Sequence, residues 1–271
     1  GGGGGGRIAI RVSGENYARI LVSSTAGGPG PSVAPGGSGE NGTVFFEPKI
    51  YLGAMGDGSL CTNANNWLAG IIPQAGETVL FGSTNPALGC FWNIPASVTI
   101  GSVAFTSAYR GLLRIGDVMN VTGSFTMAGG TVSMQGFFDL RIGGDLLQTG
   151  GVFALSQGSV TLTGLGARTL RAAPGSRFQN LRVEGAQNVS VLTDLLTDGN
   201  LTAAPGSTIT FPSATVLTAS GAVTAFGGMI FSPSHRTLLA GTTYQIFNAP
   251  SVGILQVANA TGAALASGLS L

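Results

Sequence analysis

Charge is what this sequence has least of. Charged side chains make up 8% of its 271 residues, with one lysine, Lys49, and a formal net charge of +1. An average soluble domain carries roughly 25%. The eleven arginines are scattered rather than gathered into a basic stripe, so no nucleic-acid partner is expected. A net charge near zero also removes the repulsion that keeps molecules apart, which favours self-association. The only histidine, His235, sits in a Ser/Pro turn sequence with no Gly-x-Ser-x-Gly elbow, so it reads as a surface residue and not as a catalytic base. One histidine and two cysteines fall short of a zinc site. No glycine-rich stretch continues into Lys-Ser/Thr and a helix, as a phosphate loop requires. The expectation is therefore no cofactor and no metal. No apolar run approaches about 18 residues, so no membrane span is expected.

Carboxylates are equally thin, six Asp and five Glu over the whole chain. A glycosidase needs two of them held close together across the scissile bond. The closest pair in sequence, Asp194 and Asp198, would share one face of an extended strand about 13 Å apart. Asp57, Asp117, Asp145 and Asp198 adjoin glycine and read as turn formers. The chain is not expected to be an enzyme.

Glycine, by contrast, is abundant at 46 residues, while 44% of the chain is hydrophobic, which excludes disorder. The glycines punctuate a repeat. Gly123-Ser-Phe-Thr-Met-Ala-Gly-Gly130 returns in outline at Gly144 to Gly151, Gly199 to Gly206 and Gly221 to Gly228, with starts 21, 55 and 22 residues apart. Each copy is a short alternating strand, a glycine corner and a second strand such as Thr131 to Met134. A period in this range marks units that bury their apolar face only by stacking on a neighbour. Further strands are expected at 97–100, 112–115, 139–142, 159–162, 180–183, 189–192, 208–211 and 215–218, with almost no helix. The fold expected is all-β, a parallel β-helix (β-solenoid) with coils of roughly 20 residues or more. Two β-sandwiches would need longer strands and two-residue hairpin turns, which are sparse here. The triplets around Arg114, Arg141 and Arg182 predict a row of arginines on one outer face, each solvated or paired with an acid such as Asp117, Asp139 or Glu184.

Texture divides the chain into a Gly-rich strand and loop segment (1–50), a Cys/Trp-containing cap and first coil (51–100), the solenoid (101–250) and a small-residue C-terminal tail (251–271). Two cysteines in a low-lysine, Ser/Thr/Gly-rich chain point to an extracellular Cys61–Cys90 disulfide, with two buried free thiols as the alternative. A start at Gly1 without Met or a leader predicts a processed chain or a piece of a longer one. Two segments carry a resemblance. The glycine run followed by Arg7-Ile-Ala-Ile10 resembles stretches in very large secreted bacterial surface proteins. Asn66-Trp67, Gly70, Pro73, Glu77 and Val79 resemble the opening of secreted bacterial parallel β-helix domains of the autotransporter-passenger and adhesin type, although Glu77 stands where Asp is usual. That resemblance implies that Trp67 caps the first coil, and a large aromatic suits the open end of a solenoid. Trp92 is read the same way.

These features predict an extracellular or cell-surface structural protein that polymerises with itself. A solenoid has two open ends, and this one has few charges and no helix to cover them. Ile8, Ile10 and Val12 at one end and Val257, Leu265, Leu269 and Leu271 at the other are the candidate assembly residues. Surface glycans are the alternative partner, with the chain as an adhesin module; a β-helix polysaccharide lyase or hydrolase ranks below that.

Overall fold

The computed structural model describes residues 49–52, 60–82, 89–212, 214–249 and 252–265. The chain is a parallel β-solenoid of about nine turns, each of about 21 residues, and the described residues hold no α-helix, only two short 3-10 turns at Ala64–Asn66 and Leu68–Gly70. Most coils visit three faces in the same order. The first face is a nine-stranded sheet running from Lys49–Tyr51 to Gly228–Phe231. The second is two four-stranded sheets, Cys90–Trp92 to Val152–Ala154 and Leu195–Thr197 to Ile254–Val257. Single bridges from Ala154 to Arg177 and from Phe178 to Thr197 join them. The third face is an eight-stranded sheet from Met119–Val121 to Ala263–Leu265.

Alternation in the sequence sets what lies inside. Strands such as Phe125–Met127, Asp139–Ile142 and Thr208–Phe211 bury every second residue, as the strand period of two requires. Because the ladders are parallel and in register, like residues stack on like. Phe81 and Phe105 are register partners on the first face with ring centroids 4.6 Å apart, and Phe125 of the next coil, in register with Val103, packs on Phe105 at 5.5 Å. The column continues into Phe153 and Phe178 at 5.7 and 5.5 Å. Fully burying each such ring contributes about 1.5–3 kcal/mol.

Glycine defines the corner between the third and first faces. A Cβ on Gly101, Gly123, Gly143 or Gly164 would overlap the backbone carbonyl of the coil below, at Gly76, Gly101, Thr122 and Gly143 respectively. The backbones of successive coils therefore approach too closely there for any side chain.

Two expectations are corrected. Residues 97–100 make no strand; Ile100 alone bridges to Val121. The stretch read as a small-residue C-terminal tail beyond the solenoid adds the last described coil in cis: Ile254–Val257 pairs with Arg236–Leu239, and Ala263–Leu265 with Gln245–Asn248. Its small residues hid the alternation that Leu255, Val257 and Leu265 carry. Strands proposed before residue 49 lie outside the described residues.

Candidate functional site

The two ends of the described solenoid differ. At the N-terminal end the strand Lys49–Tyr51 is met by Trp67 through an antiparallel bridge at Tyr51. The two rings sit edge to face with centroids 5.2 Å apart, and both residues are 1% exposed. The Trp67 indole N–H donates to Cys61 O at 2.7 Å, and the Tyr51 hydroxyl donates to Gly89 O. Cys61 and Cys90 form a disulfide with Cα atoms 5.6 Å apart, tying this segment to the strand Cys90–Trp92. Trp92 itself is an interior residue, in register with Ile115 of the next coil and 1% exposed.

The C-terminal end lacks such a cover among the described residues. Val257 is in register with Leu239 and Leu265 with Phe247, so both occupy inward columns. Leu239 and Phe247 are fully buried, while Val257 and Leu265 are each 47% exposed. Neither last strand has a described partner on its far side. Ile230, Ile246 and Ile254 add outward-facing apolar residues nearby, each at least half exposed. The other assembly candidates, Ile8, Ile10, Val12, Leu269 and Leu271, lie outside the described residues.

The expected arginine row does not form. Arg141 and Arg182 share the third face with Thr161 between them, but Arg114 belongs to the second face, beside Phe91 and Ser133. The spacing held the signal: 114 to 141 is 27 residues, which is no multiple of the coil, whereas 141 to 182 is about two coils. Arg141 pairs with Asp139 at 3.0 Å and with Glu184 at 3.1 Å, and Arg182 with Glu184 at 2.7 Å.

The expected surface position of His235 is also overturned. The residue is fully buried, its ring 4.4 Å from Phe211 and 4.9 Å from Phe231, and its two nitrogens reach the Thr215 and Thr237 hydroxyls at 3.0 and 3.2 Å. An imidazole can stack and hydrogen-bond at once, which lets it replace a core aromatic where two threonines need partners. Burial lowers its pKa to about 4, against smaller raising effects from Thr215 and Asp194. Asp194 accepts the Val216 N–H at 2.8 Å and Asp198 pairs with Arg177 at 3.0 Å, so each carboxylate is committed to holding a neighbouring coil.

Neither a family model, nor a curated protein, nor a solved structure matches the chain.

Proposed function

We propose that the chain is an extracellular structural protein, the repeating subunit of a filament, sheath or surface fibre, and that growth occurs at the C-terminal end of the solenoid. What supports this reading is the exposure of Val257 and Leu265 at inward core positions. A monomer normally covers such an end with charge, helix or loop. The occupant is the 7–12 segment of a second copy, added as a further strand. That segment reads Arg7, Ile8, Ala9, Ile10, Arg11 and Val12, so on an extended strand Ile8, Ile10 and Val12 would share one face. Forty-eight residues precede the first described strand, ample reach for this contact. Strand addition satisfies the backbone edge that has no partner among the described residues and buries the exposed apolar columns. Because donor and acceptor surfaces are different, the contact does not close on itself and generates an open fibre.

Sedimentation velocity on the full chain and on a chain lacking residues 1–12 tests the contact. The full chain is expected to give large species that grow with concentration, and the truncated chain a folded monomer. Identical profiles would remove strand donation as the mechanism.

A further inference from the structure

The glycine column at the corner between the third and first faces has a consequence beyond packing. No side chain projects from Gly143 or Gly164, so the corner carries a furrow that larger residues cannot fill. It forms a cleft of about 460 Å³, within the size range of small-molecule sites. It spans the coils of Asn120, Arg141 and Thr163, about 10–15 Å along the axis at the usual strand spacing.

Its walls mix polar side chains with apolar surface, the latter including Val121 and Leu165. Asn120 donates through Nδ2 to Ala96 O at 2.7 Å, and its Oδ1 makes no hydrogen bond among the described residues. Thr122 is exposed and donates to Ile100 O at 3.2 Å, leaving its lone pairs outward. Thr163 and Leu165 lie one coil on, Leu165 at 69% exposure. Arg168 lies across the floor, its Nε donating to Gly143 O at 3.0 Å and Nη1 to Ala167 O at 3.1 Å. A Cβ on Gly164 would stand 2.8 Å from that Nε, so glycine there makes room for the guanidinium. Arg141, the other cation of the cleft, is neutralised by Asp139 and Glu184; Arg168 has no ion pair among the described residues.

We propose that this cleft binds an extended acidic oligosaccharide of the uronate type, its carboxylate on Arg168, its hydroxyls on Asn120, Thr122 and Thr163, and an apolar ring face on Leu165. An amide, two threonine hydroxyls, apolar surface at Leu165 and one uncompensated guanidinium match a sugar acid in kind and in charge density. A nucleic acid presents one phosphate per roughly 1.7 Å of duplex and calls for many more cations than this wall offers. The site lies in the body of the solenoid, away from the C-terminal end, so it stands or falls independently of assembly.

Isothermal titration of the full chain with a galacturonate hexamer tests it, alongside the methyl-esterified hexamer and poly-glutamate of the same length. Saturable binding of the free acid with a dissociation constant below about 1 mM is expected. Arg168→Ala and methyl esterification should each weaken it about tenfold, as loss of a charge-assisted hydrogen bond does. Because Arg168 also binds Gly143 O, a second variant is needed. Leu165→Asp alters an exposed side chain, should leave the circular dichroism spectrum unchanged, and should abolish binding by placing a negative charge on the cleft. No saturable binding, equal binding of the ester, binding unchanged in Arg168→Ala and in Leu165→Asp, or equal binding of poly-glutamate would each overturn the assignment.

Discussion

Leu265 stands in register with Phe247, one coil on in the same inward column of the third face, and the pair differ in one respect: Phe247 is sealed and Leu265 is 47% exposed. Val257 and Leu239 repeat the relationship on the second face. A solenoid buries each coil by stacking the next upon it, so among the described residues the last coil is the one left with its inward apolar side chains half exposed. The proposed assembly is the completion of this column by another chain.

Val257→Asp with Leu265→Asp should therefore act on association and spare the fold. Both side chains are already about half exposed, so each replacement should cost less than the roughly 1.5–3 kcal/mol of a fully buried apolar side chain. Light scattering should show loss of large species, with the thermal midpoint lowered by only a few degrees. A collapse of the midpoint would mean that the end is already covered within the monomer.

The glycine column predicts a sharp contrast between two identical substitutions. Gly164→Ala sets a methyl group against Gly143 O and should cost about 3 kcal/mol, the upper end of overpacking penalties. Gly82→Ala meets nothing closer than 3.8 Å and should stay within about 0.5 kcal/mol of the parent. Urea denaturation of the two variants separates these outcomes.

Much of this was legible beforehand, for identifiable reasons. The Gly-Gly corners and the alternation in strands such as Thr131–Met134 and Asp139–Ile142 gave period and strand positions, because parallel stacking repeats the same requirement every coil. Face assignment was less legible. The Leu-Arg-Ile triplet fits the second and third faces equally, so Arg114 was grouped with Arg141 and Arg182. His235 misled because a polar residue between Ser234 and Arg236 reads as surface; only the fold sets it between Phe211 and Phe231. The corner cleft escaped entirely, since Asn120, Thr163 and Arg168 are neighbours only through coil stacking.

His235 makes stability depend on pH. Its folded-state value of about 4 lies below the ordinary 6.5. Between these values the unfolded chain binds the proton and the folded chain does not, so stability falls as pH drops from about 6.5 towards 4 and this contribution is flat above that window. The full effect is at most about 3 kcal/mol. His235→Gln keeps hydrogen-bonding capacity without titrating, and its stability should be flatter across the same range. Parallel pH profiles for variant and parent would contradict the assignment.

Reduction of Cys61–Cys90 should loosen one end only. The bond closes a 29-residue separation and contributes about 3–4 kcal/mol on the chain-entropy account. Both tryptophans of the chain, Trp67 and Trp92, lie beside it. Their emission should shift to the red on reduction while amide exchange in the coils from Met119 to Leu239 stays slow. Uniform loss of protection would show that the coils fail together.

The central claim, growth by stacking on an open end, is tested most directly by negative-stain electron microscopy of the full chain over a dilution series. Fibres of uniform width that persist on dilution, and that are lost in the Val257→Asp, Leu265→Asp chain, are the predicted result. Discrete single particles at every concentration would contradict it.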